Sequence, residues 1–337
     1  MNTVGQEENE LQESTQEIEK DQPVEKKVKK KRDHPELRGN RIISKLSDVI
    51  LFGGMVPNEA RVTGCMHATI AQSYHPIHIE MLKVSSPFTS TENKKAGSLG
   101  RKYYIPYALY GSSYTYSPQR NASFKDFGSE GMTVDLFTLF EEALINASLY
   151  DRSAVKGFIE PLLVVKVIKS KKVKNRFDDL QSDISVTMKN THLLNSDDVK
   201  LNVTELQRQL RTGLEVEEYD RIEIHASRSG KRKFKGVYEL ATTYAPFSVE
   251  PDDLEKAIEY VVVYEVKQSN PNGDPEMDNM PRRFADTNIG LISGERQKRW
   301  IRDYIESSGH LIFGSRKSTL EKSKDRFDAM CKVLESD

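Results

Sequence analysis

The residues best suited to chemistry are cations set among small residues. Residues 85–102 read Ser-Ser-Pro-Phe-Thr-Ser-Thr-Glu-Asn-Lys-Lys-Ala-Gly-Ser-Leu-Gly-Arg-Lys. The stretch is long, polar and rich in Gly and Ser, so it reads as a loop, and long loops inside compact domains are often functional. Lys94, Lys95, Arg101 and Lys102 can pair with phosphates, while Gly97, Ser98 and Gly100 let backbone N–H groups approach them. The spacing is not that of a P-loop, because the Gly-Lys-Ser/Thr ending is missing. A second cationic region starts at Arg282 and Arg283, passes a turn at Gly290, and continues into a basic helix at about 294–304 that carries Arg299 and Arg302. A strand, a polar loop and a cationic helix in succession make a surface that suits a polyanion. His67, His75 and His78 fall close together, but no carboxylate or Cys partner has ligand spacing, so polar strand residues are expected there rather than a metal site.

The elements that must position these residues centre on 260–275. Tyr260-Val-Val-Val-Tyr-Glu-Val266 is a β-rich apolar run suited to a buried strand. It ends abruptly in Asn270-Pro-Asn-Gly-Asp-Pro275. The prolines cannot donate to a ladder, and Asn272 and Gly273 tolerate positive φ, so a tight turn is expected, shaped by Asn270, Asn272, Gly273 and Asp274.

The chain of 337 residues is long enough for one large domain or two ordinary ones. Its formal net charge is −1, so any basic surface must come from local segregation. Cys65 and Cys331 alone argue against a disulfide framework and a Cys-rich zinc site. No apolar run approaches the length of a membrane span and the N-terminus has no signal-peptide core, which points to a soluble, cytoplasmic protein with no membrane partner. No cofactor is expected.

In chain order, residues 1–40 form a disordered extension, acidic at Glu7 to Glu19 and basic at Lys26 to Arg32, with too little apolar content to order itself. An apolar segment opens the folded part at 41–57. Strands are expected at 61–67, 75–84, 103–110, 162–169, 183–188, 220–226 and 236–241. The run at 162–169 is continuous in Leu and Val, hence central, and half of the aromatics at 103–110 should face a core while the others could stack on bases. Residues 133–149 form a helix capped by Thr133, and 202–210 an amphipathic helix with Gly213 as the residue after its C-cap. A basic run at 169–174 and a basic turn at 228–235 lie between. The tail, 311–337, is a short strand-like piece and then a charged helix with Phe327, Met330 and Leu334 on one face. Irregular alternation of strands and helices suits an α+β fold with a ferredoxin-like or RRM-like core and large inserted loops and helices.

Several motifs carry a resemblance. Asn270-Pro-Asn-Gly-Asp-Pro275 with Asn279-Met-Pro-Arg282 resembles the N-terminal signature of the CRISPR backbone subunit, the repeated guide-binding protein of Cascade complexes. Lys298-Arg-Trp-Ile-Arg-Asp-Tyr304 is similar to the helix that follows it there, and Asp48-Val-Ile-Leu-Phe-Gly53 to the family's Asp-Val-Arg-x-Phe-Gly element. Arg61-Val-Thr-Gly-Cys-Met-His67 and Gln72-Ser-Tyr-His-Pro76 resemble its Gly-Pro-Val-Gln region and the Ser-x-x-Pro beyond. Gly100-Arg-Lys-Tyr-Tyr-Ile-Pro-Tyr-Ala-Leu-Tyr110 and Tyr150-Asp-Arg-Ser-Ala154 look like the type I-C branch in particular. The resemblance covers most of 41–310, the expected core or palm.

The resemblance implies a crRNA-binding, non-enzymatic backbone subunit that polymerises along the guide and presents it for pairing with target DNA. Its partners would be guide RNA, target DNA through the guide, neighbouring copies of itself and other Cascade subunits. Lys94, Lys95, Arg101, Lys102, Arg299 and Arg302 are the leading candidates for RNA phosphates, with Arg282 next. The family's opening motif lies here after residue 250, so the order is rotated, as in a circular permutation, with the old ends joined at about 251–259. The family's thumb-like insertion would then be built from 1–40 and 311–337. Cys65-Met66-His67 stands where the family has Pro-Val-Gln. Related type III subunits cut RNA with a loop aspartate and a metal, which makes Asp274, Asp278 and Asp286 candidate acids under that alternative; a scaffold without RNA binding is the other.

Overall fold

The computed structural model describes residues 35–85, 99–151, 156–173, 177–190, 193–241, 243–244, 247–320 and 322–334. Lys94, Lys95 and most of the N-terminal extension lie outside the described residues. Helix α1 (Pro35–Ile43) already occupies the end of the stretch assigned to that extension, with buried Asn40 accepting from the Arg61 amide at 2.6 Å.

The first half continues with α2 (Ser47–Phe52), β1 (Gly54–Val56), β2 (Ala60–Val62), β3 (Met66–Ala68), β4 (Ala71–Pro76), β5 (Glu80–Ser85) and β6 (Leu99–Tyr116). Then come α3 (Pro118–Ala122), α4 (Val134–Tyr150), β7 (Lys156–Lys169), β8 (Ser185–Met188) and β9 (Val199–Asn202). The second half holds α5 (Thr204–Glu215), β10 (Tyr219–Ala226), α6 (Arg228–Lys233), α7 (Lys235–Tyr238), β11 (Thr243–Tyr244) and β12 (Ile258–Ser269). It closes with β13 (Gly273–Asp274), β14 (Met280–Pro281), β15 (Ile289–Ile292), α8 (Gly294–Ser307) and α9 (Ser323–Leu334).

The architecture is α+β. Nine strands form one sheet in the order β11-β10-β7-β12-β6-β4-β15, with β3 and β5 also paired to β6. Every pairing is antiparallel except β10 with β11. Strand β12 lies at the centre, hydrogen-bonded to β6 on one edge and β7 on the other, and is buried from Ile258 to Val266. Burial on both faces is why its sequence is a continuous apolar run rather than an alternation. Tyr260, Val262 and Tyr264 pack toward α4 and α8, where Phe140 meets Tyr260 edge-on at 5.8 Å and Trp300 meets Tyr264 at the same distance. Val261 and Val263 face a second core with Leu163, Val165, Ile222 and Ile224, covered by Leu206, Leu210 and Phe234 of α5–α7. Thr133 caps α4 as expected, accepting from the Leu136 amide.

Several expectations are corrected. The strand at 61–67 is two short strands broken at 63–65, and that at 75–84 is broken at 77–79. Residues 99–102 are not loop but the start of β6, paired with 82–85 of β5. The basic turn at 228–235 holds helix α6, capped by Ser227, and the start of α7, and 236–241 is the rest of α7 and a turn rather than a strand because α7 completes the cover over the second core. Gly213 lies inside α5 instead of after it; a Cβ there would collide with the Tyr219 ring. Gly290 sits in β15 rather than in a turn. The tail forms α9 but, among the described residues, no strand before it, and Phe327, Met330 and Leu334 do share the face that packs on the core. Neither Cys65 nor Cys331 is in a disulfide, and burial pushes the Cys65 thiol up to about 12.

The basic run at 169–174 is largely consumed in internal pairs. Lys169, 1% exposed, pairs with Asp178 and with Glu259 at 3.5 Å. Lys171 pairs with Asp252 and Glu255, and Lys172 with Glu217. Lys166, fully buried on β7, pairs with Glu141 at 2.7 Å and Glu223 at 3.3 Å and donates to the Ser248 carbonyl.

Burial pushes the Glu141 carboxyl up to about 7, against the opposing pull of Lys166 and Tyr260. A carboxyl raised in the folded state stabilises the fold fully below its ordinary value near 4.5, and loses that stabilisation as pH rises through about 7. Glu141→Gln, which stays neutral, should therefore gain on wild type between pH 5 and pH 8 by roughly 3 kcal/mol. Urea midpoints at the two pH values measure this; a difference between the proteins that does not change with pH would contradict it.

Candidate nucleic-acid interface

The Asn-Pro-Asn-Gly-Asp-Pro segment leaves the end of β12 and folds back as a small hairpin. Asn272 is buried; its carbonyl accepts from the Arg282 amide at 2.9 Å. Its side-chain oxygen accepts from both the amide and the hydroxyl of Ser293, at 3.2 and 3.3 Å. Ser293 is in turn the N-cap of α8, accepting from the Arg296 amide. Asn272 thus ties the exit of the central strand to the entry of α8. Asn270 donates to the Asn279 carbonyl at 2.7 Å, and a Cβ on Gly273 would collide with the Asn279 side chain.

The turn itself differs from expectation. The left-handed residues are Asp278 and Asn279, with Gln268 before the motif, not Asn272 and Gly273. Gly273 and Asp274 instead pair as β13 with β14, and the reversal is completed by 275–279. Asp274 accepts from the Glu276 amide and lies 3.6 Å from Arg282, whose Nε also donates to the Gly273 carbonyl. Asp278 accepts from the Tyr103 hydroxyl at 3.4 Å, which joins this hairpin to β6.

Helix α8 is docked through its cations. Arg296 pairs with Asp151, donates to the Pro271 carbonyl and lies 5.2 Å from the Trp300 ring centre. Arg299 donates to the Gly314 carbonyl and pairs with Asp303. Arg302 donates to Asp48 at 3.1 Å, and Asp48 also accepts the amides of Phe313 and Gly314 at 2.7 and 3.0 Å. Asp48 is 3% exposed, so its negative charge must be met by partners of this kind. Arg299 and Arg302 would have to break these contacts to reach a phosphate. The spacing identified them as cations on a helix; it could not show that α2 supplies the counter-charge.

The β5–β6 arm is different. Arg101 is exposed and Lys102 half-exposed, and Lys83 stands opposite Arg101 in the ladder. None of the three has a hydrogen bond or ion pair from its side chain among the described residues. Beside them, the arm and the β13–β14 hairpin border a groove of about 440 Å³, lined by His78, Met81, Tyr103, Met280, Arg283 and Asn288. Arg283 is oriented there by Asn288. Of the aromatics in β6, Tyr107 and Tyr110 are buried, whereas Tyr103 remains half-exposed at this groove.

A second cationic groove, about 430 Å³, lies between the β8–β9 hairpin and α6 and gathers Lys189, Lys200, Arg232 and Lys233 with Asp197 in its lining and Glu265 4.0 Å from Lys233. Burial holds the Lys233 ammonium below the usual lysine range. Lys233 donates to the Tyr107 hydroxyl at 3.3 Å. Tyr107 lies four residues along β6 from Tyr103 and, by alternation, on the same face, about 13 Å away. Sequence reasoning missed Lys83, Met81, Met280 and the Lys189–Lys200 pair, because strand register decides which distant cations become neighbours.

Histidines do not converge on a metal. His75 is buried, with Nε2 accepting from the Leu109 amide, and His78 lies 3.9 Å from Glu80. Among the described residues no three His, Cys, Asp or Glu side chains are disposed to hold a metal ion, and no described helix is long and apolar enough to cross a membrane.

The two halves of the motif should separate energetically. Asn272→Ala strands two half-buried donors of Ser293 and should cost about 1–2 kcal/mol, whereas Asp274→Ala at the more exposed turn should cost under about 1 kcal/mol. Urea midpoints of both variants check this; equal losses would contradict the bracing role.

Comparison with known proteins agrees with this frame. The family model described as CRISPR-associated protein Cas7 matches residues 4–204 and 256–335. A protein of Haloferax volcanii named CRISPR-associated protein Cas7 is 44% identical over 55 residues, which is 16% of this chain and 16% of that protein. The aligned stretch is thus a small part of the relative, whereas the family model spans most of this chain. The chain belongs to the Cas7 family of CRISPR-associated proteins.

Proposed function

We propose that this protein holds a CRISPR guide RNA by its phosphates, as the backbone subunit of a type I Cascade-like complex, closest to the I-C kind. The observation that carries this reading is the β5–β6 arm: in a Cas7-family chain, Lys83, Arg101 and Lys102 have no charge partner among the described residues, while Arg296, Arg299 and Arg302 of α8 are bound internally. Arg283 extends that surface along the groove, with Arg282 beside it in β14's exit but turned to Asp274 and the Gly273 carbonyl, and Lys94 and Lys95 belong to the segment joining the two strands of the arm. Contacts to phosphates leave base edges free, which is what pairing with target DNA needs. Neighbouring copies and other Cascade subunits would complete the assembly. Arg302 acts indirectly, by seating α8 against α2, and Arg299 by holding Gly314, whose amide also meets Asp48.

The rotated order belongs to the same proposal. It is supported by a family match that resumes at 256, where the old ends would be joined, and by α1 and α9, the described terminal helices, packing against each other. Cuts are best tolerated in exposed loops between such neighbours.

We further propose that the protein does not cut RNA. Asp274 is occupied with its own turn and Arg282, and Asp278 with Tyr103. Incubation of bound RNA with Mg²⁺ or Mn²⁺ should leave it intact; cleavage abolished by Asp274→Ala would replace this reading with the metal-dependent nuclease.

The sharpest test is Arg101→Glu/Lys102→Glu. Its affinity for a single-stranded RNA should fall at least tenfold at about 100 mM salt, and the slope of log K against log salt should become shallower by roughly 1 to 2. Affinity and slope equal to wild type would contradict the arm assignment.

A further inference from the structure

Away from the cationic arm, helix α4 and strand β10 border a separate cavity of about 420 Å³, within the range of small-molecule sites. Much of its wall is apolar, from Ile145, Ile224, Tyr238 and Phe247. Glu141 also lines it, although only 2% exposed. One carboxylate oxygen is fully engaged: Oε1 accepts from the Tyr260 hydroxyl at 2.6 Å and pairs with Lys166 at 2.7 Å. Both partners sit on the sheet. The other oxygen, Oε2, is buried and accepts nothing among the described residues. A buried acceptor without a donor is costly and uncommon, and here it coincides with a cavity of ligand size. Lys231 adds a cation to the lining, with its ammonium 5.2 Å above the Tyr238 ring centre, and Glu142 a second carboxylate.

We propose that this cavity is a purine-binding site. An exocyclic or ring N–H of the base donates to Glu141 Oε2, the ring lies against Tyr238 and Phe247, and a phosphate on the sugar meets Lys231. A simple alkyl amine could supply the donor, but it would leave both aromatic walls unused. The base can come from a free mononucleotide or from a purine of a bound strand; the recognition chemistry is the same. The site shares no residue with the β5–β6 arm and does not depend on the RNA-holding role.

Titration calorimetry of the full chain, stripped of nucleic acid in high salt, tests this with AMP, GMP and ribose 5-phosphate as probes. One equivalent of AMP or GMP should bind and ribose 5-phosphate should not. Binding should weaken at least tenfold in Glu141→Gln and in Ile145→Trp, which fills the half-buried wall, and be unchanged in Arg101→Glu/Lys102→Glu. Because an N–H donor favours the charged carboxylate, binding near pH 7 should release protons in wild type and none in Glu141→Gln, a signal that loss of folding would not mimic. A purine-containing oligonucleotide that competes with the mononucleotide assigns the base to a strand; failure to compete assigns it to a free nucleotide. No binding of AMP or GMP at millimolar concentration would overturn the proposal. So would binding unchanged in both pocket variants, or binding of putrescine in place of the nucleotides.

Discussion

The fold depends on one strand being paired on both edges and buried on both faces. β12 gives its backbone to β6 and β7, one face to α4 and α8, and the other to the layer of α5–α7. Each large side chain buried this way is worth about 1.5–3 kcal/mol, so the strand's register is strongly fixed. Its exit is therefore fixed as well. Asn272 passes that position on to Ser293 and the start of α8, and Tyr103 passes it to the cationic arm through Asp278.

Charge in this molecule falls into two populations. Lys166, Lys169, Arg221, Arg296 and Arg302 are held by carboxylates that are mostly out of water. Removing one partner of such a pair exposes the full desolvation cost of the other, so these cations serve the fold. Among the described residues Lys83, Arg101 and Lys102 have no such partners, and they have little to lose on meeting a phosphate. A net charge of −1 conceals this division, since it sums over both populations.

Local pattern was enough to place β12, β7, α4 with its Thr133 cap, α8 and the apolar face of α9. Each of these is long or carries a strong periodic signal. It failed where tertiary cover overrode local preference. Residues 236–238 contain Val and Tyr, which suit a strand, yet they turn as helix because the second core needs covering. Gly213 looked like a helix terminator, yet it is a packing site for Tyr219. For the site, the cations at 101 and 102 were legible from composition. Their separation from Arg299 and Arg302 was not, because it turns on Asp48 and Asp303 and on a ladder between 83 and 101. Glu141 was legible only as one more position on α4, since its charge partner lies on a strand not yet placed against it.

The central claim is that the free cations of the arm make this chain a holder of guide RNA. The most direct measurement is the ratio of absorbance at 260 and 280 nm of the purified protein, followed by RNase and DNase digestion of what co-purifies. The account predicts RNase-sensitive material of defined length, released by high salt. A nucleic-acid-free protein that also fails to take up single-stranded RNA at low salt would contradict it.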